Sequence, residues 1–236
     1  MVDLWGGTAD VSRERPWGRD TIACMNSATK GATVVCALLL TERGDLNLDA
    51  PIAEVWPEFA AQGKEVITLR MVMAHRAGLA HIEGFSPEKS GERDLVLAAI
   101  AAQAPNWEPG TAQGYHAASM GWIVGEVVRR VSGRTIGRLF ADEVAAPLGL
   151  DLWIGLPEEE EFRYAPFVEF DPRMRAQLRA RLAGRAGPAS TGEYSAQHSL
   201  PARQSLRLCV RLSSGETGCW PHVVARAAGQ RGPPGS

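Results

Sequence analysis

The chain is organised around Asn26-Ser27-Ala28-Thr29-Lys30-Gly31, which an apolar run from Ala32 to Leu40 follows directly. We expect this stretch to open a helix that continues to about Arg43, with Ala32, Val35, Cys36, Leu39 and Leu40 on one side. Residues three apart share one face of a helix, so the ammonium group of Lys30 can reach the hydroxyl group of Ser27. A serine hydroxyl is a poor nucleophile without an adjacent base. A lysine can be that base where burial or neighbouring cations lower the pKa of its side chain.

The position of Ser27 at the start of this helix adds a second chemical property. The free N–H groups and the positive end of the helix dipole would face an oxyanion that forms on Ser27. A structural alternative stays open at this point, because a Ser-x-x-Lys match is common by chance. In that alternative Ser27 is an N-cap and Lys30 is a solvated residue of the first turn.

Composition and length place few limits on the fold. A chain of 236 residues with 45% hydrophobic and 22% charged residues is typical of one sizeable soluble domain or two small ones. The four cysteines form no Cys-x-x-Cys pair, and the sequence has neither a signal-peptide pattern nor an apolar run of membrane-spanning length. We therefore expect a cytoplasmic protein without a membrane partner, a metal or a cofactor.

The charge is distributed unevenly along the chain. Residues 1–170 contain 15 Lys and Arg against 24 Asp and Glu, whereas residues 171–236 contain 10 Arg, no Lys and 3 acidic residues. This contrast sets a boundary near residue 170. An arginine-rich arm that binds acidic partners or nucleic acid is one interpretation, but the lack of lysines, aromatic residues and patterned clusters argues against it.

Helix signals dominate the middle of the chain. Thr68 is a good N-cap for a helix at 69–75, Asp94 caps a helix at 95–103, and residues 117–131 and 135–145 have helical patterns. Residues 68–150 are therefore expected to form an all-α subdomain. Before the Ser27 helix, we expect a strand over residues 1–10 and an extended segment over residues 21–25.

A second chemical candidate is Gly114-Tyr115-His116-Ala117, in a loop just before the helix at 117–131. A tyrosine at such a helix entry can point its hydroxyl group into a cleft, where it could exchange a proton with a Ser–Lys pair. The alternative is a tyrosine that packs its ring and leaves its hydroxyl group in water. His75 is interpreted as a packed or capping side chain, His81 has no visible acidic partner, and His116 receives no assigned role.

The order of several motifs resembles a known family. In addition to the motifs around Ser27 and Tyr115, these are Asp3-Leu4-Trp5-Gly6-Gly7, Gly44-Asp45-Leu46-Asn47-Leu48-Asp49-Ala50-Pro51, Trp56-Pro57-Glu58-Phe59, Thr68-Leu69-Arg70, Ala74-His75-Arg76-Ala77-Gly78-Leu79, Trp107-Glu108-Pro109-Gly110-Thr111 and Pro147-Leu148-Gly149-Leu150. Residues 1–170 resemble the serine β-lactamase/penicillin-binding-protein superfamily, above all the β-lactamase-related carboxylesterases close to class C enzymes. Because the joint order and spacing of these motifs is specific, the catalytic interpretation of Ser27 and Lys30 is favoured.

The resemblance implies an α+β fold of the β-lactamase/transpeptidase type, with an antiparallel sheet, flanking helices and an all-α subdomain. It also implies an acyl-enzyme mechanism, in which Ser27 attacks a small ester or lactam, Lys30 accepts its proton and Tyr115 relays a proton to the leaving group. The Ser27 N–H group would form half of an oxyanion hole. Oligomeric state is left open.

Two departures from the family pattern affect these expectations. Many lactamases and peptidases of the superfamily have Asn two residues after the second-motif Tyr or Ser, but this chain has Ala117, which favours an ester substrate. The late-strand motif, Lys/His-Thr-Gly or Trp-Gly-Gly, is not evident, and Glu216-Thr217-Gly218 is a poor substitute. Residues 171–236 are interpreted as an atypical tail, and disorder of this tail is an open alternative. The fold as a whole is expected to be truncated and incomplete. A non-catalytic remnant and an amide hydrolase are the alternative functions.

Overall fold

The computed structural model describes residues 4–85 and 91–167 and the backbone of one later strand. The helices are α1 (Thr29–Glu42), α2 (Leu69–Met73), α3 (Arg93–Ala102), α4 (Ser119–Ser132), α5 (Ile136–Phe140) and α6 (Ala146–Leu148). The strands are β1 (Thr8–Asp10), β2 (Arg15–Pro16), β3 (Ile22–Cys24), β4 (Leu152–Ile154), β5 (Tyr164–Ala165) and β6 (Val223–Arg226).

The strands form two sheets. In the larger sheet the order is β4-β6-β3-β5, in which β6 is antiparallel to both β3 and β4, and β3 is parallel to β5. The small sheet is the antiparallel pair β1–β2. Strand β3 leads directly into the turn that carries Ser27, so the larger sheet fixes the start of α1.

The helices pack around α4, which is buried on nearly every side. Its buried apolar residues are Met120, Trp122, Ile123, Val124, Val127 and Val128. Helices α1, α2, α3 and α5 all contact α4 and complete a continuous hydrophobic core. In the described part of residues 68–150 every regular element is helical, and the all-α subdomain over this range stays a prediction. The division of the chain into a domain over 1–170 and a tail over 171–236 stays a prediction.

Buried charged groups in the helical part have dense polar partners. Glu126 has a side chain only 2% exposed and accepts hydrogen bonds from Arg93, Arg129 and Arg130. Burial acts to raise the pKa of Glu126, but the bonds from these arginines outweigh it, so the pKa lies below its ordinary value. The fully buried Lys64 donates to three backbone carbonyls, of Ala61, Ala101 and Gln103. Such pairing is what makes a buried charge tolerable.

Three details of the local predictions need correction. In the described part of the predicted strand over residues 1–10, only Thr8–Asp10 is a strand, and Leu4 is 85% exposed. The single helix predicted over 135–145 is α5, followed by a π-helical turn, Ala141–Ala145, and then α6. Helix α1 turns Thr33 and Ala37 into the core instead of Val35, which is 40% exposed. Because α1 is apolar all round, periodicity alone could not identify its buried face.

A close approach between α5 and β4 gives a test of the packing. A Cβ atom on Gly137 would lie 2.2 Å from the backbone oxygen of Ile154, whereas a Cβ atom on Gly125 in α4 would meet only Ile136 Cγ2, at 3.8 Å. We predict that Gly137→Ala lowers the free energy of unfolding by about 1–3 kcal/mol, because backbone cannot yield as a side chain does. Urea unfolding followed by circular dichroism measures this change.

Gly125→Ala is the matched control for that experiment. It also places alanine inside a helix, where alanine is favoured over glycine by up to about 1 kcal/mol, and it has room for the methyl group. We therefore expect Gly125→Ala to be neutral or stabilising. Equal effects of the two substitutions would contradict the packing of α5 against β4.

Candidate active site

Ser27 lies in a three-ten turn, Asn26–Ala28, between β3 and α1. Asn26 has a left-handed backbone, with φ +48°, which allows the chain to turn sharply from the strand into the helix. Asparagine adopts this conformation more readily than most residues. The side chain of Ser27 is exposed at the start of α1, where the N–H groups of the first turn are available to an anion.

Lys30 connects Ser27 to the loop before α4. Its Nζ atom lies 3.5 Å from Ser27 Oγ and donates a hydrogen bond of 2.9 Å to the backbone oxygen of Ala117. The half-buried lysine side chain is therefore directed towards Ser27 by a partner 87 residues away along the chain. A separation of 3.5 Å is long for a hydrogen bond, but catalytic hydrogen bonds are often long before substrate binds.

Tyr115 completes the group. Lys30 Nζ lies 4.9 Å from the centre of the Tyr115 ring, and the phenol hydrogen-bonds Ser27 and Lys30. Burial acts to raise the pKa of Tyr115, but the bonds to Ser27 and Lys30 and the positive charge of Lys30 together lower it. The structure thus brings the three residues predicted from the sequence into one contact group, although it does not test the roles assigned to them.

Two histidines hold the loop that carries Tyr115, and for one of them, His116, no sequence pattern indicates a role. His116 is fully buried, its Nε2 atom accepts a hydrogen bond of 3.1 Å from the Leu79 N–H group, and its Nδ1 atom lies 2.6 Å from the backbone oxygen of Gly114. Because Nε2 accepts, Nδ1 carries the proton and donates. His75 packs against Tyr115, whereas the side chain of His81 is exposed.

Close backbone contacts join the loop before Tyr115 to the loop after α2. Gly78 has φ +77°, and a Cβ atom there would lie 2.6 Å from the backbone oxygen of Trp107. The Asn106 N–H group donates to the Gly78 oxygen at 2.7 Å. A Cβ atom on Gly114 would lie 2.5 Å from the indole ring of Trp107. Both glycines are therefore needed where the two loops meet.

Other predicted features fall partly outside the described residues. Glu216-Thr217-Gly218, the weak candidate for the missing late-strand motif, lies there, as does most of the arginine-rich segment. A late strand does pair with β3, the strand before Ser27, because β6 places Val224 opposite Cys24. In residues 4–85 and 91–167, no three His, Cys, Asp or Glu side chains converge as a metal site. None of the helices described is long and apolar enough to cross a membrane.

Comparisons with known proteins agree with this geometry. The family model named Beta-lactamase matches residues 1–209. The chain is 37% identical over 158 residues to the esterase/beta-lactamase LipL of Mycobacterium tuberculosis (strain ATCC 25618 / H37Rv). This match covers 66% of this chain and 37% of that protein. It is 30% identical over 198 residues to the esterase EstB of Burkholderia gladioli, or 75% of this chain and 50% of that protein. The chain thus spans half or less of the length of these two relatives.

Solved structures show the same relationship. A family VIII carboxylesterase matches with a TM-score of 0.70 and 36% identity, over 95% of this chain and 57% of that chain. A penicillin-binding protein homologue from Caulobacter crescentus matches with a TM-score of 0.67 and 32% identity, over 93% and 56%. The predicted α+β fold of the β-lactamase/transpeptidase type is confirmed by these matches.

The buried imidazole of His116 gives a pH-dependent test of the loop. Burial lowers its pKa from 6.5 to about 4. As the pH falls from 6.5 to 4, the unfolded chain binds a proton that the folded chain does not, so His116 reduces the free energy of unfolding by about 3 kcal/mol across this window. His75, whose pKa is lowered by burial and by the charge of Lys30, acts in the same direction.

The control variant is His116→Gln, whose amide oxygen can accept from Leu79 but does not titrate. We predict that the free energy of unfolding, measured with urea at pH 7, is larger for the wild-type chain than for His116→Gln. This difference should shrink steadily as the pH falls to 4. Parallel stability profiles of the two chains would show that His116 is not a buried neutral group.

Proposed function

The chain belongs to the β-lactamase family, and we propose that it acts as a serine hydrolase on small carboxylic esters. The observation that carries this proposal is the contact of one ammonium group with both other members of the site. Lys30 Nζ lies 3.5 Å from Ser27 Oγ and 4.9 Å from the centre of the Tyr115 ring. A nucleophile, a base and a second proton-transfer group within direct reach of one another are what acyl transfer requires.

In the proposed acylation step, Lys30 first releases its ammonium proton to solvent, and Ser27 Oγ then attacks the ester carbonyl carbon while its own proton passes to the resulting neutral amine of Lys30. The tetrahedral intermediate then collapses, the bond between the carbonyl carbon and the alcohol oxygen breaks, and the alcohol leaves with a proton relayed through Tyr115. The lowered pKa of Tyr115 suits this exchange, because it makes the phenol a better proton donor and its phenolate easier to form. Water then attacks the acyl-enzyme and releases the carboxylic acid and free Ser27.

The start of α1 supplies part of the electrostatic stabilisation in this proposal. The N–H group of Ser27 would donate to the oxyanion, and the positive end of the helix dipole favours negative charge at the same place. We assign the second oxyanion donor to no described residue.

An ester is the favoured substrate class for two reasons. Position 117 is alanine. The loop after Tyr115 therefore lacks the asparagine side chain that many lactamases and peptidases of the resembled superfamily have at this position. The name of EstB is esterase, that of LipL is esterase/beta-lactamase, and one matching structure is a carboxylesterase. Amide and β-lactam hydrolysis are therefore the less favoured activities.

Hydrolysis of p-nitrophenyl acetate, compared with that of a chromogenic cephalosporin, tests the proposal. We predict ester hydrolysis that Ser27→Ala abolishes and that Lys30→Met reduces by at least 10²-fold, since a general base contributes roughly 10²–10⁴. Tyr115→Phe should reduce kcat by roughly 10²-fold for the same reason. The cephalosporin should be turned over more slowly than the ester.

Tyr164→Phe is the control for the tyrosine substitution, because Tyr164 lies in β5 and has no assigned part in the site. It should keep the wild-type rate. Ester hydrolysis that survives Ser27→Ala would contradict the proposal, and a folded wild-type chain without activity would favour the alternative of a non-catalytic family member.

A further inference from the structure

His75 brackets Tyr115 in the chain. Its backbone oxygen accepts a hydrogen bond of 3.0 Å from the backbone N–H group of Gly114, and its Nδ1 atom accepts one of 3.2 Å from the backbone N–H group of His116. The residues immediately before and after Tyr115 are therefore both held by the same histidine. No pattern in the sequence indicates this, because the bonds join residues about forty positions apart.

The His75 ring also contacts the Tyr115 ring itself. The two ring centres are 4.9 Å apart, with an angle of 60° between their planes, so the rings pack edge to face. Such packing fixes the direction of a ring more closely than burial alone. The phenol of Tyr115 is 40% exposed and would otherwise have freedom to swing away from Lys30 and Ser27.

The backbone conformation of His75 is unusual and serves this arrangement. His75 has φ +60°, in the left-handed region that few residues other than glycine adopt. It lies just after α2, whose backbone ends in that turn. In this left-handed conformation, the backbone carbonyl and the imidazole of His75 both contact the loop that carries Tyr115. Strain of this kind persists where surrounding contacts determine it, as these two bonds do.

The second histidine makes the hydrogen bond to His75 geometrically firm. The ring of His116 is anchored to Leu79 and Gly114, so the backbone N–H group of the same residue, which donates to His75 Nδ1, has little freedom to move. The neutral form of His75 is required, because a protonated Nδ1 atom donates and cannot accept. Burial and the nearby charge of Lys30 lower the pKa of His75 and so favour that neutral form.

We propose that His75 is a positioning residue for Tyr115, in that the hydrogen bond from the backbone N–H group of His116 to His75 Nδ1 keeps the phenol against Ser27 and Lys30, and the edge-to-face ring contact is a consequence of that bond. The inference rests on the proposed function for its catalytic consequence, but its structural content concerns the Tyr115 phenol alone. His75 itself contacts neither the nucleophile nor the reacting atoms in this account.

Two variants separate positioning from general packing. His75→Asn keeps an acceptor, because the asparagine Oδ1 atom can take the place of Nδ1, and asparagine readily adopts a left-handed backbone. His75→Ala removes the acceptor and the ring. His81→Ala is the control, since the side chain of His81 is exposed outside the site.

Titration of the tyrosines by ultraviolet absorbance is the first measurement. The chain has three tyrosines, and the Tyr115 step is identified as the one lost in Tyr115→Phe. We expect this step to move to higher pH in His75→Ala, towards the ordinary value of tyrosine, because the phenol loses its contacts with Ser27 and Lys30. It should stay near the wild-type position in His75→Asn and in His81→Ala. An unchanged Tyr115 step in His75→Ala, or equal shifts in the alanine and asparagine variants, would overturn the proposal.

Ester hydrolysis is the second measurement. His75→Ala should lower kcat by roughly tenfold, a part of the 10²–10⁴ that proton transfer supplies, with little change in KM. His75→Asn should recover most of that loss. In the double variant with Tyr115→Phe, the loss should be no larger than in Tyr115→Phe alone, because both substitutions act through the same phenol. Additive losses would overturn the proposal.

The two measurements distinguish the failure of each idea. If the wild-type chain hydrolyses no ester, the proposed function fails, while the tyrosine titration still decides whether His75 positions Tyr115. If hydrolysis depends on Ser27 but neither the Tyr115 titration step nor kcat changes in His75→Ala, the positioning role is wrong and the proposed function stands.

Discussion

The ammonium group of Lys30 is the contact on which the rest of the site depends. It lies 3.5 Å from Ser27 Oγ and donates a hydrogen bond of 2.9 Å to the backbone oxygen of Ala117. One flexible side chain thereby joins the start of α1 to the loop before α4. The packing of α1 on α4 in the core sets the distance between these two segments. A change in helix packing would therefore reach the nucleophile through Lys30.

The same positive charge also acts on the aromatic groups of the site. It contributes to lowering the pKa of Tyr115 and that of His75, in the first case by favouring the phenolate and in the second by disfavouring the imidazolium. The two effects support each other chemically. A neutral His75 can accept from the His116 N–H group, and a phenol that more readily loses its proton suits transfer beside a serine.

Local patterns in the sequence predict the contact between Lys30 and Ser27 that the structure has, but not the contacts that support it. The three-residue spacing placed Ser27 and Lys30 on one face, and Thr68 was correctly identified as the N-cap of α2, where it accepts from the Met71 N–H group. His116 left no local signal, because its partners Leu79 and His75 are distant in the chain. The buried face of α1 also escaped prediction, since a helix that is apolar on every side has no distinct stripe.

Peptide mapping by mass spectrometry, after the purified full chain reacts with a fluorophosphonate probe, is the most direct test of the central claim that Lys30 activates Ser27. We predict one phosphonylated site, on the peptide that contains Ser27, and loss of that adduct in Lys30→Met with the fold retained. An adduct on another serine, or equal labelling of Ser27 with and without Lys30, would contradict the account.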